Sequence, residues 1–299
     1  MWLATFKMKL LIVDGHAYAY RAFYAIRELR SPLGVPTNAI YGFVKMFVKM
    51  REGIKPTHLI VVWDGGLSAK RMTALPEYKA QRPEMPENLK PQLDEIVSYL
   101  KAANVASYCG NGVEADDYIA CLARRAADAE WQVVIASADK DFMQLVSARV
   151  GLLNPNDKSE TVWTNEQVRN KTGVEPSQVV GWLALMGDSV DNIPGVPGVG
   201  PKRAADLLKQ FGSVENLFGR LDEVKSEKLR ASLRASADAV KRNLELVRLH
   251  DLPCEFSPAE MAEKPGDAGR LSELFARWGF KGMLAALEGS QREKQAVLI

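Results

Sequence analysis

LLIVDGHAYAYRAFYAI, residues 10–26, decides the fold: an unbroken apolar run stops at Asp14 and a helical period takes over. A run this short and this apolar reads as a strand buried on both faces, the mark of a parallel sheet. Two other runs end the same way, HLIVVW at Asp64 and VVIASA at Asp139. In an open α/β sheet, ligands sit beyond the carboxyl ends of the strands, so three strands ending in Asp aim three carboxylates at one crevice. Chance rarely ends three separate apolar runs in the same residue type.

Further acids follow in short bursts: Glu114, Asp116 and Asp117, then Asp141 beside Asp139, then Asp188 and Asp191. Glu114 and Asp117 are three apart where a helix is predicted to start, and Asp188 and Asp191 repeat that interval, so each pair is expected on one helical face. Asp139 and Asp141 are two apart, which in extended chain puts both on one side. Taken singly, each acid reads as a cap, a turn residue or a solvated charge, and N-capping competes at Glu114, Asp117 and Asp188. The joint pattern carries the argument, because nine carboxylates gathered together repel one another and need a cation. With His only at positions 16, 58 and 250 and no Cys-x-x-Cys, an oxygen-rich donor set favours Mg²⁺ or Mn²⁺ over zinc. Nine acids exceed what one Mg²⁺ uses, so two ions are expected, about 4 Å apart, an arrangement suited to cleaving phosphodiesters.

The chain has 299 residues, 47% hydrophobic and 25% charged, enough for an ample core in one large domain or one plus a smaller module. Cysteines at 109, 121 and 254, an odd number without framework spacing, predict buried or inert thiols in a reducing compartment, the cytoplasm. No apolar run approaches a membrane span, residues 1–7 lack a signal peptide's apolar stretch, and Met8 reads as an alternative start. The net charge of +2 conceals an asymmetry: with the nine acids set aside, 39 basic residues face 28 acids, a balance of +11 that suits phosphate binding. Lys70, Arg71, Lys79 and Arg82 form one basic group. A second, from Arg220 to Arg248, mixes both signs as solvated helices do.

Strands are predicted at 10–14, 58–64 and 133–138 and helices at 17–28 and 38–51, with helices and short Gly and Pro breaks beyond 165. This reads as an α/β core with a mostly parallel central sheet flanked by helices over 1–165, a helical subdomain over 166–290 and a tail over 291–299. Two segments interrupt the scheme. Residues 65 to about 92 hold four prolines, several basic residues and Tyr78, ahead of an amphipathic helix presenting Leu93, Ile96, Val97 and Leu100; such an excursion after an acid-bearing strand reads as a lid or substrate clamp, with a plain surface loop as the alternative. GVPGVGPKRAADLL, residues 195–208, lacks the strand and spacing of a dinucleotide fingerprint. Its Gly198-x-Gly200-x-x-x-Ala204 pattern fits a helix-hairpin-helix, in which glycines and the next helix's free amides admit a phosphate, with Lys202 and Arg203 adding charge. Such a loop grips backbone without reading bases.

In this order, LLIVDGHAYAYRAFYAI, the VVWD strand end, LPEYKAQRP, GVEADDYIA, IASADKDFMQLV and GDSVDNIPGVPGVGPKRAADLL resemble the 5′-nuclease family, which includes the 5′-3′ exonuclease domain of bacterial DNA polymerase I and the flap endonucleases. The resemblance spans roughly residues 8 to 287. It implies a PIN-like nuclease core, a helical arch over about 65–105 and a helix-hairpin-helix subdomain. It also implies hydrolysis of phosphodiesters at 5′ ends and 5′ flaps of duplex or branched DNA in replication and repair, by two Mg²⁺ with Mn²⁺ as a substitute, leaving 5′-phosphates. By position, Asp14, Asp64, Glu114 and Asp116 look like the first metal site with Asp117 close to it. Asp139 would lie between the ions and act in catalysis, and Asp141, Asp188 and Asp191 would complete the second site. Lys79 and Arg71 match positions that contact the scissile phosphate, with Arg82 beside them. Tyr20 resembles the aromatic on which a terminal base stacks, a core tyrosine being the competing reading. Arg21, Gly198, Gly200, Lys202 and Arg203 are implied to meet DNA, and K⁺ to sit at the hairpin loop. The implied partners are DNA with 5′ flaps, nicks or free 5′ ends and a DNA polymerase, with a monomeric protein and no membrane.

Three rivals have discriminating residues. A haloacid-dehalogenase-type phosphatase needs a second Asp two residues after its nucleophile, and Asp14 is followed by Gly15 and His16. A non-catalytic branched-DNA-binding protein keeps the hairpin loop and the arch, but nine acids without metal repel DNA. A ribonuclease of the related small-nuclease group lacks the long helical tail. No polymerase motif appears before Ile299, which fits a free-standing enzyme and a piece of a longer polymerase equally.

Overall fold

The computed structural model describes residues 8–157 and 159–297, with 293–297 as backbone only. The expectations about residues 1–7 and the last two residues of the tail lie outside the described residues. In chain order the elements begin with β1 (Lys9–Asp14), α1 (Gly15–Ala25), α2 (Asn38–Ile54), β2 (His58–Trp63), α3 (Ala69–Ala74), α4 (Lys90–Ala102) and β3 (Ala106–Cys109). Next come α5 (Ala115–Asp128), β4 (Gln132–Ala136), β5 (Val150–Leu153), β6 (Val162–Trp163), α6 (Asn165–Thr172), α7 (Val179–Met186), β7 (Gly187–Asp188) and β8 (Ile193–Pro194). Helices α8 (Pro201–Phe211), α9 (Val214–Gly219), α10 (Glu227–Ala235), α11 (Ala237–Val247), α12 (Pro258–Met261), α13 (Ala268–Trp278) and α14 (Lys281–Val297) complete the chain. The mostly parallel central sheet with flanking helices is the architecture the apolar runs predict.

Two compact units share these elements. The first comprises Met1–Trp63, Met85–Tyr108 and Ser257–Ile299. Its strands lie in the order β3-β2-β1, with β1 and β2 parallel and Leu11, Ile12 and Val13 opposite Leu59, Ile60 and Val61. Every residue of β2 and all but the first of β1 are buried, as a strand covered on both faces requires. Helix α2 begins without a side-chain cap of its own. The buried Gln92 of α4 does that work: its Oε1 accepts the Ala39 N–H at 2.8 Å while its Nε2 donates to Asn38 Oδ1 at 3.0 Å, satisfying orphan amides of the first turn. On α4, Ile96 and Leu100 are buried while Leu93 and Val97 are only half so. The apolar FARWGFKGML stretch, residues 275–284, is broken at Gly279, whose φ of 76° ends α13 in a left-handed cap. Of the expected tail, residues 291–297 continue α14.

The second unit comprises Asp64–Glu84 and Cys109–Phe256. Strands β4 and β5 pair in parallel, and the two-residue β6 closes the edge antiparallel to β5. Helix α7 is apolar nearly all round, burying Val179, Trp182, Leu183, Ala184 and Leu185, and packs against α8 and α11. The fully buried Asn243 of α11 donates to the carbonyls of Ala184 at 3.1 Å and Pro194 at 2.8 Å. One cysteine expectation is corrected. Cys121 on α5 and Cys254 form a disulfide across 133 residues, leaving Cys109 as an exposed thiol. Sequence spacing carried no sign of the pairing, because the partners meet only where the segment after α11 runs back along α5. Among the described residues, no helix is long and apolar enough to cross a membrane.

Candidate metal centre

Eight of the nine acids fall in the second unit, and Asp14 falls in the first. Asp14 closes β1 and caps α1, its Oδ1 accepting the Ala17 N–H at 3.0 Å. Asp64 follows β2, and glycines set its approach to α5. Gly65 donates to the Val113 carbonyl at 3.0 Å and accepts from Gly112 at 2.9 Å. A Cβ on Gly65 would come within 1.8 Å of the Gly110 oxygen, so no other residue fits this crossing. Asp64 Oδ1 thereby reaches the Ala115 N–H, 3.4 Å away, beside Glu114.

Glu114 occupies the N-cap position of α5 yet does not cap it. Its Oε1 accepts the Ser68 N–H at 2.8 Å, and its Oε2 receives Lys79 Nζ at 2.8 Å, Tyr78 Oη at 3.2 Å and Arg71 Nη1 at 3.2 Å. Burial alone raises this carboxyl, but Lys79 and Arg71 outweigh it and hold Glu114 below the ordinary carboxylate range. Asp116, in the first turn of α5, lies 3.8 Å from Lys79 Nζ and keeps 22% of its side chain exposed. Capping falls instead to strand-end acids, since Asp139 caps a short 3₁₀ turn at Lys140–Leu145 by accepting the Asp141 N–H at 2.8 Å. Asp141 therefore sits in a turn and not in the extended chain expected for it.

Asp188 and Asp191 do not share a helix face either. Gly187, at φ 77°, stops α7. The chain then folds back as the small β7–β8 ladder, where a Cβ on Gly187 would meet Gly195 N at 2.3 Å. The turn inside that ladder presents both acids: Asp188 Oδ2 lies 2.8 Å from Lys140 Nζ, and Asp191 Oδ1 2.7 Å from Arg82 Nη2. The Lys79 N–H donates to the Asp191 carbonyl at 3.0 Å, in a left-handed conformation with φ 56° that non-glycine residues rarely adopt.

Among the described residues, no three His, Cys, Asp or Glu side chains already surround one ion position; Lys79, Arg82 and Lys140 hold the oxygens instead. The donor set nonetheless fits divalent ions. Asp141 Oδ1 is buried with no hydrogen-bond partner. Burial and then repulsion from Asp139 push the Asp141 carboxyl well above its ordinary range, and burial raises Asp139 likewise. An orphaned anionic oxygen inside an all-oxygen cluster is what a hard cation satisfies.

Two expected site residues, Arg71 and Asp117, hold each other. Arg71 is 3% exposed and gives Nη1 and Nη2 to the two Asp117 oxygens at 2.7 and 2.8 Å, Nε to the Leu246 carbonyl at 2.9 Å and Nη2 again to Arg248 at 3.0 Å. Asp117 Oδ1 also accepts the His250 N–H at 2.9 Å. Through these bonds the pair anchors α3 and the end of α11 to α5. Tyr20, by contrast, is half-exposed, with its ring 6.4 Å from Tyr24 in a stacked pair, and Arg21 is exposed; the core tyrosine of α1 is Tyr18. In the hairpin loop, Gly198 has φ 82° and Gly200 heads α8 with open space where a Cβ would be. Lys202 and Arg203 are exposed, Arg203 turning back to the Gly198 carbonyl at 2.5 Å. Sequence reading named Tyr78 only as part of the 65–92 segment and missed Lys140, which was signalled by its place between two acids in Asp139-Lys140-Asp141.

Residues 9–173 match the family model of the 5′-3′ exonuclease N-terminal resolvase-like domain, and residues 174–268 that of the 5′-3′ exonuclease C-terminal SAM fold. The 5′-3′ exonuclease of Aquifex aeolicus is 39% identical over 280 residues, 93% of this chain and 95% of that protein. DNA polymerase I of Bacillus caldotenax is 38% identical over 296 residues, 98% of this chain but 34% of the polymerase, so the chain spans about a third of that relative. Among solved structures, the T5 5′-exonuclease with bound divalent zinc ions superposes with a TM-score of 0.67 at 28% identity over 81% of this chain and 89% of that one. The catalytic core of Rad2 in complex with a DNA substrate gives 0.63 over 92% and 89%; at 16% identity that likeness is one of fold. Family models that match both parts of the chain, with a relative of the same length at 39% identity, establish that it belongs to the 5′-3′ exonuclease family and is a nuclease.

Proposed function

We propose that this nuclease hydrolyses phosphodiester bonds at 5′ ends and 5′ flaps of duplex or branched DNA by a two-metal mechanism, with Mg²⁺ as the working ion and Mn²⁺ as a substitute. The observation that carries it is the meeting of Glu114, Asp116, Asp188 and Asp191 with Lys79, Arg82 and Lys140 beside the unsatisfied Asp141 oxygen. Asp14, Asp64, Glu114 and Asp116 would hold one ion, and Asp141, Asp188 and Asp191 the other, with Asp139 between them. Divalent ions held there supply a water acidified toward neutral pH and neutralise charge developing on the phosphate. The chain's own part is electrostatic. Lys79, fixed in a dry pocket against Glu114, and Arg82, on a more exposed tether, would donate to the phosphate oxygens as negative charge builds, where preorganised donors act most strongly. Water attacks phosphorus, the P–O3′ bond breaks, and the product retains a 5′-phosphate.

The remaining assignments follow the same reading. Residues 65–105 would form an arch for a 5′ single strand, Tyr20 would stack the terminal base, and Arg21 would meet the nearby backbone. Gly198, Gly200, Lys202 and Arg203 would grip duplex backbone, with K⁺ at that loop. A monomer acting in the cytoplasm during replication and repair, beside a DNA polymerase, completes the proposal. Its test is cleavage of a 5′-labelled single-flap DNA with Mg²⁺ and with EDTA. Asp139→Asn is expected to lower cleavage by about a hundredfold or more while flap affinity persists. Full turnover by this variant would remove Asp139 from the reacting centre, and tight flap binding without cleavage in Mg²⁺ or Mn²⁺ would overturn the nuclease mechanism.

A further inference from the structure

We propose that Lys140 is a built-in competitor for the second metal site: its ammonium holds Asp188 and has to leave that carboxylate before an ion is held there. The inference rests on the two-metal reading above. Lys140 Nζ lies 2.8 Å from Asp188 Oδ2, while Asp188 Oδ1 already accepts the Val190 N–H at 3.0 Å. The ammonium therefore sits on the oxygen that an ion would take. Asp139 and Asp141 flank it in sequence and add to its attraction.

Its setting differs from that of Lys79. The Lys79 side chain is 2% exposed and pinned among Glu114, Asp116 and the Tyr78 ring, so moving it would strand a buried charge. Lys140 is 31% exposed, and its flexible stem lets the compact, strongly hydrated ammonium swing to water at modest cost. Arg82 is similarly open at 40%, but Asp191, its partner, is also held by the Tyr78 hydroxyl at 3.4 Å. Among the site cations Lys140 is thus the one arranged to yield. Losing it leaves Asp188 to the incoming ion without competition, and the second site fills at lower metal concentration.

The experiment is Mn²⁺ titration of the whole chain without DNA, followed by the electron paramagnetic resonance of free Mn²⁺, for wild type, Lys140→Gln and Lys140→Arg. Thermal melts in EDTA accompany it. Lys140→Gln is expected to tighten the weaker of two Mn²⁺ steps about tenfold, the effect of removing one neighbouring positive charge at partial exposure. It should also melt below wild type in EDTA and recover with Mn²⁺. Lys140→Arg, a bidentate partner for Asp188, is expected to weaken the same step, which keeps the test decisive if the glutamine variant fails to fold. Two ions bound with the same affinities by all three proteins would overturn the role of Lys140 alone. No Mn²⁺ binding by wild type or variants would overturn the two-metal reading and this inference with it.

Discussion

Glu114 and Asp141 carry the same charge in one cluster and are held in opposite ways. Glu114 is surrounded by donors and sits below the ordinary carboxylate range, so it stabilises the fold above its unfolded pKa and that contribution is lost as pH falls through the folded value. Asp141, buried beside Asp139, sits above the range. Its cost is absent below the unfolded value of about 4, grows as pH rises, and is complete above the folded value. In chelator at neutral pH, Asp141→Asn is therefore expected to raise the urea midpoint, and the gain to vanish near pH 4. Glu114→Gln is expected to destabilise by about 3 kcal/mol or more, because it leaves the buried Lys79 ammonium with only Asp116, 3.8 Å away, as a counter-charge. A destabilised Asn variant at neutral pH would mean that the Asp141 carboxyl is satisfied in solution. The acids themselves were legible as residues. Their individual settings were not, because a pKa depends on which cations the fold brings within hydrogen-bond reach.

At the scale of elements, helix α5 serves as the mount of the site. Glu114, at its N-cap position, and Asp116, in its first turn, meet Lys79, while Asp117 shares the Arg71 guanidinium with Glu114 and is clamped by it. Arg71→Lys keeps the charge but loses the fork, and is expected to cost about 2–4 kcal/mol in unfolding free energy, with cleavage recovering poorly at permissive temperature. Unchanged stability would show that the anchor is dispensable. The β7–β8 ladder is the second mount, and the sequence misjudged it as helix because a three-residue acid interval fits a turn as well as it fits a helix face. The hairpin loop is a third element with its own signature. Lys202→Ala is expected to weaken binding to every duplex sequence about equally and to lower the salt slope by about one; a loss confined to one sequence would contradict backbone recognition.

Across the whole molecule, the Cys121–Cys254 bond is the longest-range covalent constraint, closing 133 residues of the second unit. Cys254→Ser, or reductant on the wild type, is expected to lower unfolding free energy by about 2–4 kcal/mol. Equal urea midpoints with and without reductant would show the pair unbonded in solution. The sequence by itself determined the sheet, since continuous apolar runs have only one economical burial, and it determined the acids, since strand ends point where ligands bind. It also located the hairpin loop through glycines that nothing in a plain helix connection demands. Only the tertiary structure decided which cation sits on which acid, that Arg71 and Asp117 brace one another, that Lys140 covers Asp188 and that two distant cysteines meet. Local patterns specify elements because burial and backbone hydrogen bonding act over a few residues, whereas pairing between side chains far apart in sequence exists only after those elements have packed.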